Sequence, residues 1–400
     1  MSRSDCRSLM RVLGAAAALA VLHAAPLCAQ SLFASRGLGL LMDPVSSRAA
    51  ALGGIPLGLP HEISWADPAS AVGLPASGLT VAFHTDDFRA SYQGRAFSGQ
   101  TARFPLIQAA FPFRQRWAVV AGFGSYLDQN WSIQSQDTVL LGSDRVPVLD
   151  QLTSQGGVSR LRLAVAREIV PHLAISLGTD VFTGGIQRTN GRSYSFILDG
   201  FAHDSLFVNA GCCTDSWTYS GAGGLASIDW TPSGALTVAA SVAGGGTLHG
   251  EGRDSLAADR DYRLPTELSL GATGRVSSNT IVAASTRWSG WSRLNSALAD
   301  QGGARDAWTA TGGVEWQGIE GAGRSVPLRL GVRYQQLPFR WSDTAEYPTD
   351  RAITGGAGLL LAGGAVSTDL AVERGRRGGS GAGLEESYWR VGISVRIFGQ

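Results

Sequence analysis

The feature that most constrains this chain is a two-residue alternation of apolar with small or polar residues, repeated along most of its length. In residues 327–335, for example, Leu328 and Leu330 alternate with Arg329 and Gly331. Successive side chains of a strand point to opposite faces, so this period predicts β-strands. One apolar face opposed to one small or charged face is typical of a transmembrane barrel.

Short and long connections alternate between these segments, as expected for an outer-membrane barrel with short periplasmic turns and longer outer loops. The short connections fall near 114–116, 169–171, 231–233, 277–278, 319–325 and 362–365. We therefore predict about fourteen strands in an all-β, antiparallel transmembrane barrel. They span 87–97, 101–113, 116–128, 157–169, 172–182, 216–230, 234–246, 264–276, 279–289, 306–318, 326–337, 352–362, 365–375 and 386–398.

Two further segments alternate weakly. Residues 77–84 would make the strand count odd, and bacterial single-chain barrels have even counts. We therefore assign 77–84 to the segment that precedes the barrel. Residues 130–141 are assigned to an outer loop.

The first 29 residues are typical of a secretory signal. Arg3, Arg7 and Arg11 supply the basic region, and an apolar run follows from Val12 to Leu22. Cleavage is expected after Ala29. No later run approaches the ~18 apolar residues of a membrane-spanning helix. We therefore expect an exported chain that enters a membrane only as a barrel.

Residues 41–75 resemble the N-terminal plug of the FadL outer-membrane family, a pattern that PorV-like proteins share. The residues that carry this resemblance are Arg48, Gly53, Gly54, Trp65, Asp67 and Pro68. Asp67 stands where that family has Asn, and both side chains favour turns. Residues 326–339, 352–373 and 388–399 are also similar to the family's last four strands in order and spacing.

The resemblance implies a fourteen-stranded barrel with an N-terminal plug segment in its lumen. It divides the chain into a signal peptide (1–29), a plug or hatch segment (30–84) and an outer-membrane barrel (85–400). It also implies passive uptake of hydrophobic or amphipathic small molecules, as in long-chain fatty-acid transport. The expected partners are outer-membrane lipid, a hydrophobic small-molecule ligand and the barrel assembly machinery of a Gram-negative-type envelope.

The composition of the chain excludes several classes of function. All 33 basic residues are Arg, which removes any Lys nucleophile, Lys Schiff base or P-loop lysine. The net charge is +1, and the basic leader accounts for that excess. A nucleic-acid partner is not expected, because it would require a basic face.

No catalytic, metal or cofactor site is predicted. The six His show no metal-binding spacing, and no Gly-x-Ser-x-Gly elbow is present. Cys212 and Cys213 are adjacent, which leaves open a strained vicinal disulfide, a metal site or two free thiols.

The alternation places six charged residues on the inward face of the last strands. They are Arg329, Arg333, Asp369, Glu373, Arg390 and Arg396. One interpretation is a charge ladder that neutralises itself inside a wet barrel. The other is a set of groups that hold the plug or a ligand carboxylate, for which an Arg fork is well suited. Most other lumen positions are small, which does not predict an apolar binding site.

Two alternatives to uptake stay open from the sequence. The first is a PorV-like barrel that docks exported proteins or serves a secretion machine. The second is an outer-membrane enzyme, which would need a base within hydrogen-bond reach of a nucleophile.

Overall fold

A computed structural model describes residues 31–399, except 55–56, 93, 115, 143, 198–204, 210–212, 255–256, 322–323, 380 and 382. These residues form one sheet of 18 strands. In chain order they are β1 (Leu40–Leu41), β2 (Gly78–Tyr92), β3 (Arg95–Phe113), β4 (Trp117–Asp128), β5 (Trp131–Leu141), β6 (Asp144–Val170), β7 (Leu173–Ile197), β8 (Ser205–Asn209), β9 (Thr214–Ser233), β10 (Leu236–Gly252), β11 (Arg260–Arg263), β12 (Thr266–Ser277), β13 (Thr280–Ser289), β14 (Ala307–Gly321), β15 (Arg324–Gln336), β16 (Thr349–Leu361), β17 (Val366–Gly379) and β18 (Leu384–Phe398).

Fourteen of these strands close a ring, which confirms the predicted fold class. Each pairs antiparallel with its neighbours, and β18 returns to β2 with Phe398 opposite Gly78. The remaining four strands, β1, β5, β8 and β11, pair with ring strands but are not members of the ring. Closure pairs every ring strand with a strand on each side, as a membrane requires of a spanning structure; the one interruption, between β3 and β4, is described below.

The predicted alternation of faces is also observed. On β15, Leu328, Leu330 and Val332 are exposed on the outer surface, whereas Arg329 and Arg333 are buried inside the ring. A continuous apolar outer wall is what an outer-membrane barrel presents to lipid.

The expected start of the barrel at residue 85 was wrong. Residues 78–84 are the first half of β2, and their partners are β18 on one side and β3 on the other. The reason lies in a hairpin that the sequence analysis missed. Tyr92 pairs with Arg95 across a connection that contains Gly94 at φ +77°, and glycine adopts this backbone conformation without steric cost.

Residues 130–141, which we assigned to an outer loop, do lie beyond the ring, but nearly all of them are strand. These residues form β5, which pairs with the first half of β6 beyond the ring. Strand β7 also continues past the ring and pairs with β8. The ring therefore carries a small projecting sheet, β5–β8, at its end with the long loops, here called the loop end. The opposite end, with the short connections, is called the turn end.

The N-terminal segment, residues 31–77, lies inside the ring. It contains β1, the helix α1 (Ser47–Ala51) and the 3₁₀ helices Leu32–Ser35 and Pro68–Gly73. Further short 3₁₀ helices occur at Trp291–Leu294, Ala299–Gln301 and Ala362–Gly364. Across the part of the chain that the structure describes, we find no helix with the length and apolar character to span a membrane.

Candidate functional site

Helix α1 packs on the inner face of β15–β18. A helix of five residues is not stable alone, so its order depends on packing and capping. The Ser46 hydroxyl accepts a hydrogen bond from the Ala49 amide at 3.2 Å and donates one to Glu62 at 2.7 Å. Glycines make room below the helix: a Cβ built on Gly356 would lie 2.7 Å from the Ala51 Cβ.

Arg48 joins this helix to the barrel wall through two charge-assisted hydrogen bonds. Its Nε and Nη2 each donate to the Glu315 carboxylate at 2.8 Å, and its Nη1 donates to the Pro60 carbonyl at 2.8 Å. Burial opposes the charge, but Glu315 and Glu62 raise the pKa of Arg48. A buried charge needs such partners, and the predicted plug residue Arg48 has them.

Gly53 and Gly54 end the helix with backbone at φ +100° and +105°. The Gly54 amide donates to the Ala49 carbonyl at 3.0 Å. A Cβ built on Gly53 would lie 2.6 Å from the Val332 carbonyl oxygen. Both the conformation and the space therefore require glycine at residue 53.

Trp65, Asp67 and Pro68 contact the opposite side of the lumen. The Trp65 ring lies 4.8 Å from the Arg162 guanidinium, and Arg162 Nη1 donates to the Trp65 carbonyl at 2.6 Å. Pro68 begins the 3₁₀ helix Pro68–Gly73, which packs against β3, β4, β6, β7 and β9.

Among the residues that the structure describes, Asp67 is buried without an arginine partner. Its Oδ1 accepts a hydrogen bond from the Ser227 hydroxyl at 2.8 Å. Burial and the nearby carboxylate of Asp229 raise its pKa well above the usual value. The surroundings of Asp67 therefore favour its neutral, protonated form.

The six predicted lumen charges all lie on the inner face and belong to one network. We call it the ionic wall; it comprises Glu315, Arg329, Arg333, Asp350, Asp369, Glu373, Arg377, Arg390 and Arg396 on β14–β18. Arg329 donates to Glu315 at 2.6 Å and to Asp369 at 2.7 Å. Arg333 pairs with Glu373. Charge-assisted pairs of this kind satisfy one another at low dielectric constant.

The other two predicted lumen arginines have their hydrogen-bonded partners outside β17. Arg390 donates to both oxygens of Asp86 on β2, at 2.6 and 3.0 Å, and lies 3.7 Å from Glu373, its neighbour in register. Arg396 Nη1 donates to Glu62 of the N-terminal segment at 2.7 Å. Asp86 was missed because β2 was placed wrongly. Glu315 was also missed, although the alternation along its strand would have placed it on the inner face.

An aromatic cluster fills the lumen near the loop end. It includes Tyr126, Phe182, Trp217, Tyr219, Tyr262, Trp291 and Phe339, all buried. Trp291 is fully buried and meets Phe339 edge to face at 5.5 Å between ring centroids. The Arg160 guanidinium lies 5.0 Å from the Tyr126 ring. The mostly small lumen residues did not predict this cluster, because Tyr262, Trp291 and Phe339 lie in predicted connections, where no alternation indicates which way a side chain faces.

The ring wall opens between β3 and β4. The two strands pair only from Phe113–Trp117 to Leu106–Gly124. Beyond that point β4 pairs with β1 instead, and Pro105 on β3 has no amide hydrogen to donate. A cavity of about 200 Å³ lies in this gap. The Arg103–Asp128 ion pair, at 2.7 Å, spans it.

The described residues contain no cluster of His, Cys, Asp and Glu that could hold a metal ion. Cys213 is exposed, with φ +67°. Cys212 lies outside the described residues, so the vicinal disulfide stays a prediction.

Solved structures share this fold at low sequence identity. A Pseudomonas aeruginosa FadL homologue matches with TM-score 0.59 and 13% identity over 90% of this chain and 99% of its own. The CymD monoaromatic hydrocarbon channel matches with TM-score 0.57 and 14% identity over 89% and 98%. The Ralstonia pickettii toluene transporter TbuX matches with TM-score 0.56 and 13% identity over 90% and 99%.

No known family profile and no curated protein sequence matches the chain. The structural likeness confirms, at the level of the fold, the resemblance to FadL-type barrels that the sequence predicts.

Proposed function

We propose that this chain is an outer-membrane channel for the passive uptake of hydrophobic or amphipathic small molecules, with residues 31–77 as its plug. The observation that carries the proposal is the aromatic cluster enclosed at the loop end. The rings are packed against one another, so entry of cargo requires them to separate, and they then offer an apolar aromatic surface to a hydrophobic ligand. The three similar solved structures support the same function, since they are named as a FadL homologue, a monoaromatic hydrocarbon channel and a toluene transporter.

In this proposal the loop end faces the medium and the turn end faces the periplasm. Cargo enters among the aromatic rings of the loop end. The gap between β3 and β4 offers a lateral exit towards the membrane, because backbone pairing is already absent there. Opening it requires separation of the Arg103–Asp128 pair and displacement of β1.

Uptake of labelled toluene by Gram-negative cells that express the protein tests the aromatic site. Trp291→Ala should reduce the initial uptake rate severalfold. Trp308→Ala is the matched control, since Trp308 is exposed on the outer surface. Equal rates for the two variants would contradict entry through the cluster.

Deletion of residues 41–75 tests the plug. Ring closure does not use this segment, so the deleted protein should still show heat-modifiable gel mobility. In a liposome-swelling assay it should admit small sugars faster than the intact protein. A folded barrel with unchanged permeability would show that the segment does not control passage.

A docking role at the outer surface is the second candidate. The observation that favours it is the projecting sheet β5–β8, on which Leu140 and Leu152 are exposed. Removal of residues 131–154 should abolish partner capture if docking is the function. It should leave toluene uptake unchanged if transport is.

A further inference from the structure

A second cavity, distinct from the aromatic cluster, lies at the turn end. Its volume is about 730 Å³, which is within the range of small-molecule sites. Its rim includes the connections 278–279 and 362–365 together with Pro75 and Ala76. These positions place the cavity at the opposite end of the lumen from Trp291.

Four arginines line this cavity: Arg48, Arg275, Arg329 and Arg396. Three of them bind carboxylates. Arg48 and Arg329 share Glu315, Arg329 also binds Asp369, and Arg396 binds Glu62. The four guanidinium groups thus meet three carboxylates, and one positive charge is left over.

Arg275 carries that excess. Its side chain is exposed at the cavity, and it forms no side-chain hydrogen bond or ion pair with any residue that the structure describes. Burial and the positive charges of Arg48, Arg396 and Arg275 lower the pKa of His61, which lines the same cavity. The neutral form of His61 is therefore favoured, and His61 adds no further positive charge to the cavity.

Arg396 adds a further guanidinium group to the wall of this cavity. The residue is buried, and its Nη1 donates to Glu62 and to the His61 carbonyl. Its Nε is shielded from solvent, so a ligand in the cavity meets Arg275 rather than this donor. Arg396 also lies 5.4 Å from the Phe398 ring centroid. Phe398, Leu360 and Ile281 give the cavity an apolar side.

We propose that this turn-end cavity is a binding site for a small organic carboxylate, with Arg275 as the group that receives the anion. The apolar side of the cavity would hold the hydrocarbon part of the ligand. An Arg fork matches a carboxylate, and an amphipathic ligand uses both surfaces. The site goes beyond the proposed function, because a ligand can reach it from the turn end whether or not cargo crosses the barrel.

Titration calorimetry on the full-length protein in neutral detergent tests the site, with hexanoate as the probe. Hexanol is the matched uncharged probe, and inorganic phosphate tests for a general anion site. Hexanoate should bind, hexanol should bind at least about tenfold more weakly, and added NaCl should weaken hexanoate binding. Phosphate binding as tight as hexanoate binding would overturn the assignment to an organic carboxylate.

Arg275→Gln should weaken hexanoate binding about threefold to tenfold and leave hexanol binding unchanged. Arg116→Gln is the control: it makes the same charge change at an exposed turn-end position that does not line the cavity. Equal losses in the two variants, or none in Arg275→Gln, would overturn the proposal. Toluene uptake should be unaffected by Arg275→Gln, so failure of this site and failure of the transport function give different results.

Discussion

The N-terminal segment is held at two places by different chemistry. On the ionic wall, Arg48 forms a doubly hydrogen-bonded ion pair with Glu315, which is itself bound to Arg329. On the opposite side, Trp65 stacks with Arg162 and Asp67 accepts a hydrogen bond from Ser227. Release of Trp65–Pro68 breaks the Arg162–Trp65 carbonyl bond but leaves Arg162 paired with Asp180, whereas separation of Arg48 from Glu315 breaks a buried ion pair. The segment should therefore detach first at Trp65–Pro68.

Glu315→Gln should have the largest effect, because it leaves Arg48 and Arg329 without their shared carboxylate. We expect a loss of about 3–5 kcal/mol in the free energy of unfolding. Urea unfolding of the protein in lipid vesicles would measure it. Glu385→Gln is the control, since Glu385 is exposed at the loop end. Equal stability of the two variants would contradict a strong ionic attachment.

Leu330→Arg tests whether the ionic wall has the register described. Leu330 is 63% exposed on the outer face of β15, beside the inward-facing Arg329. An arginine facing lipid should cost about 2–4 kcal/mol near the bilayer midplane. Leu140→Arg makes the same change at a residue that is 69% exposed on β5, outside the ring, and should cost much less. A reversed order of these losses would mean that the outer face is misassigned.

Gly356→Ala tests the close packing of α1 on the same wall. The added Cβ would lie 2.3 Å from the Leu370 carbonyl oxygen and 2.7 Å from the Ala51 Cβ. Overpacking of this kind costs about 1–3 kcal/mol. At the adjacent Gly355 the nearest heavy atom would be 3.6 Å away, so Gly355→Ala is the matched control. Proteolysis of the N-terminal segment would detect its release in the first variant only.

Asp67→Asn should have the smallest effect, within about 1 kcal/mol, because the surroundings already favour a neutral side chain at residue 67. The raised pKa of Asp67 means that its stabilising contribution is complete below the unfolded-state pKa and is lost as pH rises through the folded-state pKa. The release of Trp65 can be followed by iodide quenching of its fluorescence, in a variant with reduced Trp content. In the protein that retains Asp67, this quenching should increase as pH rises. A persistent pH dependence in Asp67→Asn would assign the transition to another group.

The neutral form of Asp67 also explains how this chain departs from the FadL-like sequence pattern. The FadL-like pattern has Asn where this chain has Asp67, and a protonated carboxyl resembles an amide in shape and in its neutral charge. The sequence could not show that Asp67 is buried beside Asp229, because only the fold brings these two residues together.

The alternation in the sequence predicted which side chains face the lumen, because that property depends only on the strand itself. The period of two placed Arg329, Arg333 and Asp369 inside because the pleat alone sets the facing of side chains. It could not assign partners, because Arg390 pairs with Asp86 across the closure of the ring. The aromatic cluster was missed for a related reason: Trp291 lies on a loop, where no periodicity indicates burial.

The attachment of Arg48 to Glu315 has a consequence for the order of folding. The two residues are separated by 267 positions in the chain, and contacts of such separation carry a large loop-closure cost. Helix α1 packs on β15–β18, the last strands to be synthesised. The N-terminal segment, which precedes every ring strand in the chain, is thus fixed in place only after the final hairpins have formed. A slow final phase of assembly should therefore report on this segment rather than on the strands.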